Sequence, residues 1–322
     1  VPDPLDIPAR PLGADGPPLP RIALGCGNFG GVGSAPQFFG QGLSGDEAVA
    51  VMDAAWELGI THFDTADAYG GGRSEQAIGA WMRSRGVRPT LTTKTYNPMS
   101  DGPDGDHGLA PERVRRQFAS SLQRLGVDAV ELYLAHEFDP DVPLRDTLDA
   151  FAELAGAGAI GAYGLSNFDV PQLQSALAVG SPVALQNGYS LLQRGDETEV
   201  LPLCAHHGVA YIVFSPLCGG WLTGKYRRGA DYPAGSRMTQ RPEPYAALAT
   251  DATFDALEAL QELSVRRGTS MAGTALAWLL ADERIAQVVI GPGRPAHLDP
   301  AREALEHPLT DAERNDLSAI FS

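Results

Sequence analysis

The chain has 322 residues, enough for one large domain or two small ones, and 43% of them are apolar, enough for a buried core and too many for a disordered polymer. Its 37 glycines and 25 prolines follow no period, which excludes a collagen-like chain. With 24 Lys and Arg against 40 Asp and Glu the net charge is −16, which argues against nucleic acid or an anionic membrane as partner but leaves room for a local anion pocket of a few arginines and backbone N–H groups.

In chain order, residues 1–20 form a Pro-rich segment expected to fold as a hairpin, with arms at 9–12 and 19–24 and a turn at Ala14-Asp15-Gly16. Short apolar runs then recur at 22–26, 61–64, 90–95, 129–136, 159–166, 183–187, 210–214 and 287–290. They are bounded by Gly, Pro or polar residues and read as strands covered on both faces of a parallel sheet. Helical patterns lie between them. Ser44 and Glu47 make a capping box, followed by an apolar face of Val49, Met52 and Trp56. Pro111 suits the first turn of a helix with Val114, Phe118, Ser121, Leu122 and Leu125 on one side, closed by Gly126. Further helices are expected at 74–84, 144–157, 170–179, 199–207, 254–267, 270–280 and 310–320, the last with a Thr310/Glu313 capping box. The Gly/Asp-rich stretch 101–107 reads as a mobile loop.

Eight strands alternating with helices predict a single (β/α)8 TIM barrel over residues 1–322 with an N-terminal β-hairpin. The rival is a doubly wound dinucleotide fold, since Gly25, Gly27 and Gly30 give G-x-G-x-x-G after the first strand. No helix follows that motif, and no acidic residue ends a second strand about 20 residues on, so these glycines are expected in a barrel loop. Cys26, Cys204 and Cys218 are odd in number and widely spaced, which fits neither a disulfide framework nor a metal knuckle. No apolar run approaches the roughly 20 residues of a membrane span, no leader pattern opens the chain, and a cytoplasmic protein without a metal is expected. The chain ends soon after its last predicted helix, so no long C-terminal loop is expected over the site.

Barrels of this kind place their chemistry at the C-terminal strand ends. Asp64 and Tyr69 fall there after the second strand, Lys94 after the third and His136 after the fourth. Ser166 and Asn167 follow the fifth, Gln186 and Asn187 the sixth, Phe214 and Ser215 the seventh. A phenol is a poor acid at neutral pH. A nearby ammonium favours its phenolate, a carboxylate holds that ammonium, and a histidine can orient a carbonyl oxygen. Together the four groups can protonate a carbonyl oxygen as hydride reaches its carbon. Lys94 alone also fits a Schiff-base lysine, and each of the four alone fits a structural role.

The segment Phe63-Asp64-Thr65-Ala66-Asp67-Ala68-Tyr69-Gly70 resembles the FDTAxxYG signature of the aldo-keto reductase superfamily. The likeness continues through Gly72-Arg73-Ser74-Glu75, Thr93-Lys94, Leu132-Tyr133-Leu134-Ala135-His136, Gly164-Leu165-Ser166-Asn167-Phe168, Gln186-Asn187, Phe214-Ser215-Pro216-Leu217, Leu222-Thr223-Gly224-Lys225-Tyr226 and Val289-Ile290-Gly291. It is closest to the branch of aflatoxin-aldehyde reductases and potassium-channel β-subunits. The resemblance implies Tyr69 as general acid, tuned by Lys94 and Asp64, with His136 positioning the carbonyl. It implies that Ser166, Asn167 and Gln186 hold the nicotinamide carboxamide and that Phe214 stacks on its ring. It implies that Ser215, Pro216, Leu217, Gly219 and the segment through Gly224 and Lys225 wrap the pyrophosphate, joined by Ser236 and Arg237. Gly291, Gly293, Arg294 and His297 fall at the adenosine end, where Pro300 and Ala301 replace the family's Glu and Asn. Arg294 suits a 2′-phosphate, so NADPH is favoured over NADH.

Asn28, Phe29, Tyr96, Asn97, Phe138 and Trp221 are expected around the mouth, a partly aromatic pocket for a small carbonyl substrate. Cys218 is expected in the loop over the cofactor, where exposure would bear on oxidation. The leading reading is an NADPH-dependent aldehyde or ketone reductase. The rivals are a cofactor-binding regulatory subunit with slow chemistry and a lyase acting through Lys94. Oligomeric state is not legible.

Overall fold

The computed structural model describes residues 4–13, 16–100 and 106–322. The hairpin is β1 (Ala9–Pro11) against β2 (Pro18–Pro20), antiparallel, with Arg10 opposite Leu19. Of its predicted turn, Ala14 and Asp15 lie outside the described residues. The second arm stops at Pro20. Arg21 there turns its guanidinium onto the carbonyls of Leu280, Asp282 and Ile285, and the chain restarts as the first barrel strand.

Strands β3 (Ile22–Gly25), β4 (His62–Asp64), β5 (Thr90–Thr95), β6 (Val130–Ala135), β7 (Ile160–Ser166), β8 (Ala184–Gly188), β9 (Ala210–Phe214) and β10 (Ile285–Ile290) pair in parallel and close when β10 meets β3. All eight predicted strands are present, and the closed barrel removes the doubly wound alternative. Leu12 and Leu19 of the hairpin region are buried against inward-facing Ala23, Leu132, Leu134, Ala184 and Ile212, so the hairpin plugs one end of the barrel. The working residues described below gather at the other, where the strands end.

The helices are α1 (Gly45–Glu57), α2 (Arg73–Arg85), α3 (Pro111–Leu125), α4 (Leu144–Gly156), α5 (Val170–Val179), α6 (Val200–His207), α7 (Arg237–Gln240), α8 (Asp251–Arg267), α9 (Met271–Leu280), α10 (Asp299–Glu306) and α11 (Asp311–Ile320). Both predicted capping boxes form, at Ser44/Glu47 and Thr310/Glu313. The buried face of α1 is Ala48, Val51, Met52 and Ala55. Val49 and Trp56 are only half-buried, because the alanines let the helix approach the barrel and leave the tryptophan at the margin, edge-on to Trp81 at 5.8 Å. Neither α7 nor α10 is anticipated by the periodicity. α10 hides because Pro300 reads as a breaker, whereas it stands in the first turn, where its missing N–H costs nothing. No helix among the described residues is long and apolar enough to cross a membrane.

Candidate active site

Asp64 ends β4, and the chain then turns through Tyr69–Gly72, a short 3-10 segment. Gly70 adopts φ 59°, and a Cβ there would meet the Gly30 oxygen at 2.7 Å. Only glycine allows this turn to press against the loop after β3. In that loop a Cβ on Gly27 would stand 3.6 Å from Tyr69 Cζ, so Gly27 forms a wall of the phenol's niche.

Lys94 points inward from β5 and is wholly buried. Its ammonium donates to Asp64 Oδ1 at 2.5 Å, to the Thr65 carbonyl at 2.9 Å and to Tyr69 Oη at 3.5 Å. Three N–H groups thus meet three acceptors, which a buried cation requires. Burial alone would lower the Lys94 pKa, but Asp64 and Tyr69 hold it above the ordinary lysine value. A lysine so charged and enclosed is no Schiff-base nucleophile, which removes the lyase reading. Gln186 donates its Nε2 to Asp64 Oδ2 at 2.8 Å, so the carboxylate is held from both sides.

Burial raises the Tyr69 phenol above its ordinary value, with Lys94 pulling it partly back. The net direction is opposite to the expected lowering. The phenol is half-buried and keeps its proton. Because Lys94 donates to the phenolic oxygen, the hydroxyl's own proton points elsewhere. His136 stands edge-on to Tyr69 at 5.5 Å. Burial, then the Lys94 charge, holds its imidazole neutral, and its Nδ1 lacks a protein partner.

Asn167, just past β7, has φ 59° and donates its amide to the His136 carbonyl (2.9 Å), Glu137 Oε1 (3.1 Å) and Ser166 Oγ (3.2 Å). The other non-glycine residues at positive φ among those described are Ser215 and Cys218, both in the loop after β9. Backbone strain of this kind concentrates at working loops. Phe214 is half-buried, its ring 3.4 Å from where a Gly188 Cβ would be. Tyr245 lies across Gly219 and meets Ser215 Oγ at 3.2 Å. Pro216 is buried, Leu217 and Gly224 half-buried, Lys225 exposed and Arg237 half-buried. Burial and then the Arg237 charge lower Lys225. Burial, then Arg294 and Lys225, lower His297, whose Nδ1 accepts from the Gly293 N–H at 3.2 Å. Gly291, Gly293 and Arg294 are exposed.

Two features escape pattern reading. Of the 24 basic residues only Lys94 and Lys225 are lysines. And neither Lys225, Arg237 nor Arg294 makes an ion pair among the described residues, although acids outnumber bases in the chain.

Other expectations need correction. Trp221 is fully buried among Tyr226, Tyr232 and Phe254 and anchors the loop after β9 instead of lining the mouth. Phe29 is likewise buried, bridged to Leu43. Cys218 is buried and burial pushes its thiol up to about 11, so it is not poised for oxidation. Ala301 is a core residue of α10. Asn28, Tyr96, Asn97 and Phe138 are half-buried, Phe138 edge-on to Phe168 at 5.5 Å. Asn28 donates to the Pro292 carbonyl, while its buried Oδ1 has no partner. Of the loop 101–107, residues 101–105 lie outside the described residues. Asp106 is tied to Arg113, Arg116 and Gln117, and His107 packs on Tyr96.

Behind the site, Asp67 is wholly buried, with Oδ2 accepting from Thr95 Oγ1 at 2.7 Å and Oδ1 unpartnered. Burial pushes its pKa up to about 7 from 3.8. The folded state therefore holds a proton that the unfolded state has released between about pH 4 and 7. Stability falls as pH rises through that window and stays lower above it. Asp67→Asn should add roughly 4 kcal/mol at pH 8 and much less at pH 4. Thermal unfolding at both values checks this, and an equal shift at each pH contradicts it.

The model of the aldo/keto reductase family matches residues 21–321. The chain is 32% identical to an L-glyceraldehyde 3-phosphate reductase of Escherichia coli (strain K12), over 92% of this chain and 87% of the relative. It is 30% identical to a probable voltage-gated potassium channel subunit beta of Oryza sativa subsp. japonica, over 83% and 84%. Among solved structures, a glycerol dehydrogenase from Gluconobacter oxydans superposes with a TM-score of 0.83 at 26% identity, covering 97% of this chain and 94% of that one. With a barrel whose strand ends carry this Asp, Tyr, Lys and His set, and a family match over nearly its whole length, the chain belongs to the aldo/keto reductase family of NAD(P)H-dependent reductases.

Proposed function

We propose that this reductase converts an aldehyde or ketone to the alcohol with NADPH, Tyr69 giving the proton. The observation that carries the reading is the Lys94 ammonium held at once by Asp64, the Thr65 carbonyl and the Tyr69 hydroxyl. The cofactor, when bound, supplies hydride to the carbonyl carbon. Tyr69 keeps its proton until the carbonyl oxygen gains negative charge, and Lys94 then stabilises the phenolate left behind. Neutral His136 offers a hydrogen bond without competing as the acid. Gln186, anchored on Asp64, leaves its oxygen free for a carboxamide N–H, beside Ser166 and Asn167. Phe214 offers a face for the nicotinamide ring.

The chain's residues fit a nucleotide of several negative charges. Among the described residues Lys225 and Arg237 have no carboxylate partners, Lys225 lies beside the left-handed Gly220, and Arg294 and Lys225 both bear on His297. Ser215, Pro216, Leu217, Gly219, Gly224, Lys225 and Arg237 would hold the diphosphate, and Gly291, Gly293, Arg294 and His297 the adenosine phosphate. The Arg294 guanidinium at the adenosine end suits a 2′-phosphate and favours NADPH over NADH.

NADPH and NADH consumption over a panel of aldehydes, diketones and sugars tests the reading. Turnover with NADPH preferred is expected, and none across the panel overturns it.

Glu137, next to His136, is half-buried, and burial pushes it up to about 7. Its carboxylate opposes negative charge developing on the carbonyl oxygen. As pH rises through 7, kcat/KM for reduction should therefore fall about three- to tenfold, the effect of one charge at partial screening. Glu137→Gln should hold the low-pH value throughout. An inflection that persists in the variant assigns it to another group.

A further inference from the structure

Among the described residues, two guanidinium groups stand apart from the other cations that are not exposed. Among the described residues, each arginine or lysine that is not fully exposed makes an ion pair or donates a side-chain hydrogen bond, except Arg237 and Arg241. They begin and cap α7, four residues apart, where like charges repel. Burial foremost, and Arg241's charge as well, hold Arg237 below the ordinary arginine value. Half-buried cations placed side by side without acceptors are costly unless an anion joins them.

Lys225 flanks Arg237 on one side, and the function proposed above uses that pair for the cofactor diphosphate. Arg241 reaches elsewhere. Its Nη1 lies 3.7 Å from where a Gly33 Cβ would be. The Gly33 N–H donates to the Gly27 carbonyl at 2.6 Å, and its carbonyl accepts from the Gly70 N–H at 3.2 Å. Gly27 in turn walls the hydroxyl end of Tyr69. The loop from 27 to 42 holds no acidic residue that could answer the charge. Arg241 thus sits against the loop after β3 that walls Tyr69, while Glu137 follows β6, three strands further round from β3.

We infer that Arg241 is a specificity-determining residue that grips an anionic group, phosphate or carboxylate, on the carbonyl substrate. This rests on the reductase reading and names its substrate class. A charge-assisted, two-pronged guanidinium contact is the chemistry that recognises either oxyanion. The anion lies toward the β3 side of the mouth, away from Glu137, with the carbonyl at Tyr69.

The test compares matched pairs: glycolaldehyde phosphate against glycolaldehyde, and succinic semialdehyde against butanal. In the wild type the anionic member should have the higher kcat/KM in at least one pair, and the pair that does so tells phosphate from carboxylate. Arg241→Ala should cut that anionic-to-neutral ratio by about 10- to 100-fold, the usual worth of a charged hydrogen bond, with Arg241→Lys restoring part of it. Inorganic phosphate or acetate, whichever matches, should compete with substrate in the wild type and lose potency in the variant. No anionic preference, a ratio unmoved in the variant, or a rise in the NADPH Kd equal to the lost preference overturns the assignment. Turnover of the neutral aldehydes separates this from the reductase reading: with it present only Arg241's role falls, and with no carbonyl turned over both fall.

Discussion

Tyr69→Phe should slow hydride transfer by about 10²–10⁴-fold, the usual contribution of a positioned general acid. The substitution is unusually clean here. Phenylalanine keeps the ring against Gly27 and edge-on to His136. Lys94 keeps Asp64 and the Thr65 carbonyl, so no charge is stranded. Single-turnover oxidation of bound NADPH by an aldehyde measures the step directly, and quenching of intrinsic fluorescence reports NADPH binding, which should persist. A rate within a few-fold of wild type would remove Tyr69 as the acid.

Lys94→Met should strike both stability and chemistry. Methionine fills most of the lysine stem's space but leaves the Asp64 carboxylate, 3% exposed, without its counter-ion. Breaking a buried pair in this way costs about 3–5 kcal/mol. Turnover should fall as well, since the phenolate left by proton transfer loses its neighbouring cation. The double substitution Lys94→Met with Asp64→Asn separates the two effects. Removing both charges should recover most of the stability and none of the rate. Recovery of both would make Lys94 a structural residue only.

The strand pattern was legible because each strand is a short, largely apolar run bounded by Gly, Pro or polar residues, and the polar residues at or near three of the strand ends, Asp64, Lys94 and His136, gather round Tyr69 at one barrel end. Capping boxes were legible because they are local: Ser44 with Glu47, Thr310 with Glu313. What failed depended on where a loop side chain turns. Trp221 and Cys218 sit in the right segment but face the core, and no periodicity encodes that choice in a loop. On α1 the size of Trp56 and Val49 suggested the wrong stripe, although the small Ala48 and Ala55 permit the close approach. The direction of the Tyr69 shift was missed because burial is a property of the fold and outweighs the one neighbouring charge visible in the motif. Arg241 carries no motif and emerges only from its want of a partner.

Lys94 lowers the cost of taking a proton from Tyr69. Tyrosine ring-carbon NMR across pH, with the Tyr69 signal assigned from Tyr69→Phe, measures this in the folded enzyme. The phenol should stay protonated beyond the ordinary tyrosine value of 10.0 and titrate higher still in Lys94→Met/Asp64→Asn. A Tyr69 already ionised near neutrality, or one whose titration does not move when the lysine is gone, would contradict it.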